Sequence, residues 1–156
     1  MSVRLNVVRA LTLAGLASVL AASADAQQAV QREKILPVPQ SAYSAAVKTQ
    51  GGTLVFLGGI EPIDDKGELV APGDFVGQIN QVWKNLDRAM AMAGGTHEDI
   101  VTMTVYTTER RWNTVFTGMR RDYFKEGYPS SAFVEARKLK TPGALVEIRA
   151  IAVVNK

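Results

Sequence analysis

The chain contains no cysteine and a single histidine among its 156 residues. Without cysteine it cannot form disulfides, use a thiolate nucleophile, or hold an iron–sulfur cluster or a Cys-ligated zinc ion. A metal site built from several histidines would need more than one subunit. We therefore expect no metal and no cofactor, and any chemistry falls to carboxylate and hydroxyl groups.

Neither strong charge nor a long apolar run dominates the composition. Hydrophobic residues make up 47% of the chain, which is ample for one packed core, and the formal net charge is only +3. A chain of this length is typical of a single domain. The composition therefore argues against a disordered protein and against two separate domains.

The first 26 residues have the pattern of a cleavable signal peptide. Arg4 and Arg9 precede an apolar run over residues 10–22, and Ala24-Asp25-Ala26 supplies a small-residue cleavage site. The run is too short to span a bilayer, and its Leu and Val residues alternate only with small residues, so it has no polar helical face. The sequence predicts cleavage after Ala26 and a periplasmic or secreted mature protein with no membrane attachment.

Removal of residues 1–26 leaves 16 basic and 14 acidic residues, a net charge of +2. The densest basic cluster joins Arg110-Arg111 to Arg120-Arg121 and Lys125, interleaved with acidic residues on one helical stretch. This spacing favours a solvated helix face, whereas phosphate or nucleic-acid binding would need a wider basic stripe. We expect no nucleic-acid partner.

Short apolar runs and turn signals divide the rest of the chain. Residues 27–40 contain Pro37 and Pro39, which favour an extended lead-in, and the domain itself is expected to cover residues 41–156. Two short runs, residues 43–48 and 53–60, flank Gly51-Gly52 and predict a β-hairpin.

Two amphipathic helices follow. Apolar residues recur at helical spacing over residues 74–93, which end at Gly94-Gly95, and again over residues 111–126. Alternation predicts a strand at residues 101–106 between the helices, and strands at residues 131–137 and 145–154 after them. The predicted order is ββαβαββ, an α+β sheet with both helices on one face. His97 falls in a capped turn and is expected to be exposed and not catalytic.

Glu147 is the one carboxylate in the middle of an apolar strand. Such a charge needs a partner or a wet pocket. Alternation places Arg149 on the same face, so one interpretation is a structural ion pair within or between subunits. The other is a carboxylate that orients or deprotonates water, which partial burial would assist by raising its pKa.

Three motifs resemble those of the RidA family, the reactive intermediate/imine deaminases. They are residues 41–47 (SAYSAAV), residues 54–62 (LVFLGGIEP) and residues 143–153 (GALVEIRAIAV). The resemblance extends over residues 41–154. It implies a chorismate-mutase-like fold and a homotrimer that binds small molecules in clefts between subunits. It also implies that Glu147 assists the attacking water and that Tyr43 shapes the pocket.

Several pocket positions depart from the family pattern. In the deaminating members an arginine binds the substrate carboxylate, and Ser131 stands at that position here. The other departures, by resemblance, are Gly58, Ile60, Thr117 and Phe133. The changes predict a less cationic, more apolar cleft suited to a neutral or aromatic ligand. Arg149 is the first candidate to replace the missing cation; Arg137 lies too far along the strand.

The sequence is compatible with two functions. One is hydrolysis of a reactive imine or enamine, with Glu147 handling water, and the persistence of Glu147 favours it. The other is a non-catalytic trimeric module that binds a small molecule or a protein partner, and the loss of the carboxylate-binding arginine favours that. Ribonuclease activity is disfavoured because the sequence lacks a histidine pair and a concentrated basic and aromatic surface.

Overall fold

The computed structural model describes residues 29–155, so the predicted signal peptide lies outside the described residues. The described chain forms six strands and two α-helices in the order βββαβαββ. They are β1 (Gln31–Val38), β2 (Tyr43–Gln50), β3 (Thr53–Ile60), α1 (Phe75–Met92), β4 (Ile100–Thr107), α2 (Asn113–Tyr123), β5 (Ser130–Glu135) and β6 (Val146–Val154).

The strands form one mixed sheet in the order β1-β2-β5-β4-β6-β3. Strands β4 and β5 are parallel, whereas β6 runs antiparallel to both β4 and β3. The hairpin formed by β1 and β2 joins the rest through a single bridge between Ser44 and Ser130. The predicted α+β class and its two helices are confirmed.

Two details of the predicted strand pattern are wrong. The lead-in contains a paired strand, because β1 is an edge strand and Pro37 needs no donor on its solvent side. Strands β2 and β3 do not form a hairpin: β2 pairs with β1 and β5, and β3 pairs with β6. Gly51 and Gly52 both have positive φ, and the turn they form leads the chain to the other edge of the sheet.

Both helices cover the same face of the sheet. Alternate strand residues such as Val105, Ile148 and Ala150 point to that face and are buried against the apolar side of α1. The buried residues of α1 are Phe75, Gln78, Ile79, Val82, Trp83, Leu86 and Met90. Helix α2 adds Phe116, whose ring packs against Trp83 and Phe133.

The other face of the sheet is open within the subunit. It carries large apolar side chains that no described element covers, with Phe56 69% exposed, Leu54 56% and Val134 39%. These residues alternate with the buried ones along their strands, so their position is set by strand register and not by local disorder. The sheet therefore has one face packed by helices and one apolar face without a partner.

Candidate functional site

A cavity of about 300 Å³ lies on the helix-covered side, between the start of β2, the helix α2 and the strand β5. Four of the sequence-predicted pocket residues line it together: Tyr43, Thr117, Ser131 and Phe133. Ser131 and Phe133 reach it because they are two apart on β5 and share one face of the strand. The remaining lining residues are Ser41, Asn113 and Arg120.

Arg120 is the residue that the sequence analysis missed. Its side chain extends from α2 into the cavity wall and is only 4% exposed. Nη1 donates a hydrogen bond to Ser131 Oγ at 2.5 Å, and Nη2 donates to the Ser41 carbonyl at 2.6 Å. Burial lowers the pKa of the Arg120 guanidinium to about 10, which leaves it charged at neutral pH, and the hydroxyls of Tyr128 and Tyr43 oppose the shift.

This placement overturns two expectations. The cleft at Ser131 is not less cationic, because a guanidinium from the neighbouring helix occupies it. Nor does Arg120 belong to a solvated basic face: it follows the buried Phe116 by four residues and so lies on the same side of the helix, whereas Arg121 is exposed. That spacing was the signal in the sequence.

Glu147 lies on the opposite, open face of the sheet. It pairs across strands with Tyr106, whereas the cavity residue Phe133 pairs with Val105, the neighbour of Tyr106 on β4. Successive residues of a strand point to opposite faces. One subunit therefore does not bring Glu147 together with Tyr43, Thr117, Ser131 and Phe133.

The surroundings of Glu147 favour its protonated form. Partial burial raises the pKa of the Glu147 carboxyl, the negative charge of Glu61 raises it further, and Lys140 acts in the opposite direction. The Glu147 carboxylate lies against the backbone of Gly59, so closely that a side chain at that position would overlap Oε1. A carboxyl whose pKa is raised by its surroundings is suited to exchange a proton with water.

Glu61 is a second carboxylate that the sequence analysis did not single out. It is only 6% exposed, and its Oε1 accepts a hydrogen bond from the Thr141 backbone N–H at 2.9 Å. The Nζ of Lys140 lies 3.5 Å from its Oε2. Glu61 and Glu147 therefore share one cation, Lys140, whose side chain is largely exposed.

The remaining predicted residues lie away from the cavity. Arg149 is exposed on β6 opposite Thr104, so it does not supply a cation beside Ser131. Among residues 29–155, Glu147 and Arg149 form no ion pair, so the structural interpretation of Glu147 gains no support within the subunit. Gly58 and Ile60 flank Gly59 at an irregularity in the β3–β6 ladder.

His97 is half-buried and not exposed as predicted. Its ring stacks on Tyr123 with 4.2 Å between ring centroids, and Nδ1 lies 3.0 Å from Asp87 Oδ1. The Tyr123 hydroxyl donates to the same carboxylate at 2.5 Å. The turn is capped as predicted, because the Thr96 backbone N–H donates to Asp99 Oδ2 at 2.7 Å. These contacts join α1, α2 and the turn before β4 and indicate a structural role for His97.

Residues 29–155 hold no group of three or more His, Asp or Glu side chains placed to bind a metal ion. No helix within the same residues is long and apolar enough to cross a membrane. The candidate site consists of the Arg120 cavity on one face of the sheet and Glu147 on the other.

The described residues form an α+β domain with two helices on one face of a mixed sheet and a cavity beside α2. The family described as Endoribonuclease L-PSP matches residues 34–154. The chain belongs to this family, which includes the Rid and RutC proteins, so the resemblance seen in the sequence is confirmed.

Individual relatives support the same assignment. A RutC family protein of Pyrococcus horikoshii is 33% identical over 116 residues, which cover 74% of this chain and 90% of the relative. The 3-aminoacrylate deaminase RutC of Acinetobacter baylyi is 27% identical over 74% of this chain and 90% of its own length.

Solved structures show the shared fold. A Rid family protein of Yersinia pestis superposes with a TM-score of 0.71 at 24% identity, covering 81% of this chain and 98% of that one. A second Rid family protein from the same organism has a TM-score of 0.61 at 32% identity, covering 81% and 100%. The predicted Rid fold is thereby confirmed.

Proposed function

We propose that this protein is an exported Rid-family hydrolase that acts on imine or enamine groups of small molecules in clefts between the subunits of a homotrimer. The observation that carries the proposal is Glu147, a carboxylate with a raised pKa that lies on the open face of the sheet beside Gly59. The naming of a relative as a 3-aminoacrylate deaminase supports the same reaction class.

The reaction adds water to the carbon of a C=N bond. In our proposal the imine nitrogen takes a proton from solvent, and Glu147 accepts a proton from water as the water oxygen attacks the carbon, which gives a carbinolamine. Glu147 then returns its proton to the departing nitrogen as the C–N bond breaks, and the carbinolamine hydroxyl loses its proton to solvent, which releases ammonia and leaves a carbonyl compound. An enamine enters the same sequence after tautomerising to its imine.

The cleft requires a second copy of the chain because Glu147 and the Arg120 cavity lie on opposite faces of one sheet. The open face supports assembly, since Phe56 and Leu54 expose 69% and 56% of their surface on it. Monomeric proteins rarely leave such apolar patches uncovered. In our proposal the trimer places Glu147 of one subunit beside the Arg120 cavity of the next.

The test of catalysis is ammonia release from 2-imino acids that an amino-acid oxidase generates in the same vessel. The purified protein should accelerate ammonia and 2-oxo acid formation over a control without it. Glu147→Gln should abolish the acceleration because the amide cannot take up the proton. Glu68→Gln makes the same chemical change on an exposed loop and should remain as active as the unaltered chain.

Failure of the unaltered protein to accelerate the reaction would overturn the hydrolase proposal. If it nevertheless bound the 2-oxo acid, the non-catalytic binding module would be the better description. Activity that persists in Glu147→Gln would instead exclude Glu147 as the proton acceptor while leaving the reaction class in place.

We also propose that the chain is exported and that residues 1–26 are removed. The charged start, the apolar run and the Ala24-Asp25-Ala26 site support this. When the full chain is expressed in a Gram-negative host, the periplasmic fraction should contain a product whose intact mass begins at Gln27. Ala26→Leu should block processing because the cleavage site needs a small residue. A product found only in the cytoplasm with residues 1–26 attached would overturn the proposal.

A further inference from the structure

A buried arginine with only neutral partners stands out in the cavity beside α2. Arg120 is 4% exposed, and its two terminal nitrogens donate to a hydroxyl and a carbonyl, Ser131 Oγ and Ser41 O. Its Nε is buried without a hydrogen-bond partner in the described part of the chain. Every polar contact it makes is therefore to an uncharged oxygen.

No carboxylate among residues 29–155 forms an ion pair with Arg120. Buried charges are normally paired, because removing an ion from water costs several kcal/mol unless an opposite charge compensates. Desolvation at this site is substantial, since it lowers the pKa of Arg120 although two tyrosines oppose the shift. No counter-ion for this cation comes from its own subunit, so an anionic ligand in the cavity would compensate its charge.

The cavity can hold such a ligand. Its volume of about 300 Å³ suits a small organic acid, and Tyr43, Asn113 and Thr117 provide neutral hydrogen-bonding groups around the cation. Phe133 lines one wall with an apolar ring that packs against Phe116. The lining thus combines a single positive charge with polar and apolar contacts for a short carbon chain.

We propose that Arg120, positioned by Ser131, binds the carboxylate of a small monocarboxylic substrate. This deepens the proposed function and rests on it. By resemblance the family places an arginine at position 131, and here the cation instead comes from α2 and reaches the serine at that position. A ligand with one carboxylate therefore fits the cavity better than the neutral or aromatic ligand that the sequence predicts.

The contacts of Arg120 also set the charge that the site accepts. Each terminal nitrogen of a guanidinium carries two N–H groups, and each already donates one to the protein. One N–H on each terminal nitrogen remains for a ligand, which matches the two oxygens of one carboxylate. Because the cavity lining contains no second cation, a dicarboxylate would bury an unpaired charge and should bind more weakly.

The test uses pyruvate as a stable monocarboxylate and methyl pyruvate as its uncharged counterpart, measured by isothermal titration calorimetry. The unaltered protein should bind pyruvate at least about tenfold more tightly than methyl pyruvate. Oxaloacetate, which carries a second carboxylate, should bind more weakly than pyruvate. Equal affinity for pyruvate and its methyl ester would overturn the proposal without any variant.

Two variants on the same helix supply a matched comparison. Arg120→Gln should weaken pyruvate binding at least about tenfold and leave methyl pyruvate unchanged, because only the charged contact is lost. Arg121→Gln removes the same charge from an exposed neighbour that donates to the Pro39 and Gln40 carbonyls, and it should bind pyruvate normally. Unchanged pyruvate affinity in Arg120→Gln would overturn the proposal.

Charge relocation gives a gain-of-function control. The double variant Arg120→Gln, Ser131→Arg moves the guanidinium from α2 to β5, and it should recover most of the affinity lost in Arg120→Gln. A folded double variant that stays as weak as Arg120→Gln would show that the loss came from altered packing, which counts against the proposal.

These results are separable from the test of catalysis. Pyruvate binding that depends on Arg120, in a protein that releases no ammonia from 2-imino acids, would leave the anion site standing and remove the hydrolase. If the protein releases ammonia and the Arg120→Gln variant has the same KM, the hydrolase proposal would stand and the anion site would be excluded. Carboxylate binding would then not be the function of Arg120.

Discussion

The carboxylate of Glu147 occupies the space that a side chain on Gly59 would fill. The glycine lies at an irregularity in the β3–β6 ladder, and its missing Cβ leaves room for the carboxylate. An alanine there would push Glu147 away from its position beside Glu61 and Lys140. The two adjacent glycines of this strand therefore have different roles.

Gly59→Ala should reduce imine hydrolysis at least about tenfold, since small displacements of catalytic groups are costly. Gly58→Ala is the matched control, because a Cβ at that position meets no atom within 4 Å. The measurement is the rate of ammonia release, with circular dichroism to verify folding. Equal activity of the two variants would show that the position of Glu147 beside Gly59 does not matter for the reaction.

Glu147 should make the stability of the protein depend on pH in a defined direction. Its pKa is raised in the folded state by burial and by Glu61. As pH rises above about 4.3, the ordinary value for glutamate, the unfolded chain loses this proton before the folded chain does. The free energy of unfolding therefore falls through that window because of this group.

Glu147→Gln removes this titration. Relative to the unaltered protein, the variant should gain thermal stability at pH 7, and the gain should shrink towards pH 4, where both forms are neutral. Thermal unfolding at several pH values measures the difference. Glu68→Gln, on an exposed loop, should show no such trend. A gain that grows on acidification would contradict the raised pKa.

Ser131 and Ser130 are adjacent serines with different partners. The Ser131 hydroxyl accepts the 2.5 Å hydrogen bond from Arg120, whereas that of Ser130 makes only a 3.4 Å contact with the Val101 carbonyl. Ser131→Ala should lower the free energy of unfolding by about 1–3 kcal/mol, because a buried charged donor loses its acceptor. Ser130→Ala should cost about 0.5 kcal/mol or less.

Urea denaturation of both serine variants provides the comparison. It should be run without added anions, because a bound carboxylate would itself stabilise the folded state. Equal losses in the two variants would mean that the contact between Arg120 and Ser131 carries no special weight.

The open sheet face should mediate assembly. Phe56→Glu places a charge on that face, where Phe56 is 69% exposed in the subunit, and it should convert a trimer into monomers. Met92→Glu changes an even more exposed apolar residue at the end of α1, on the far side of the molecule, and should leave the trimer intact. Light scattering after size-exclusion chromatography measures the mass. An unaltered protein that is monomeric at micromolar concentration would contradict the prediction.

The periodic elements of the fold could be predicted from the sequence because their signals are local. The spacing of Phe75, Ile79, Val82 and Leu86 predicts α1, and alternation along β4 and β6 predicts half-buried strands. Strand pairing is not local. No local pattern in residues 43–60 predicts that β2 pairs with β1 and β5, or that β3 pairs with β6 at the opposite edge of the sheet.

The candidate site also has one part with a local signal in the sequence and one part without. The unusual position of Glu147 was visible in the sequence, because a carboxylate in an apolar strand stands out. Glu147 and Ser131 lie on opposite faces of the sheet because of the register of β4 with β5 and β6, which the sequence does not show. The contact between Ser131 and a cation could not be predicted, because it depends on how α2 packs over β5. This packing brings the guanidinium of Arg120, eleven residues away in sequence, to the Ser131 hydroxyl.

The family, the α+β class, the amphipathic helices and the unusual carboxylate could all be predicted from the sequence, since each rests on short motifs or on periodicity. The source of the positive charge in the cavity depends instead on tertiary packing. Arg120, four residues after Phe116, could be exposed or buried depending on what the helix packs against. In the structure it is buried and contacts Ser131 on β5. The physical reason is that burial of a charge is a property of neighbouring elements and not of the residue that carries it.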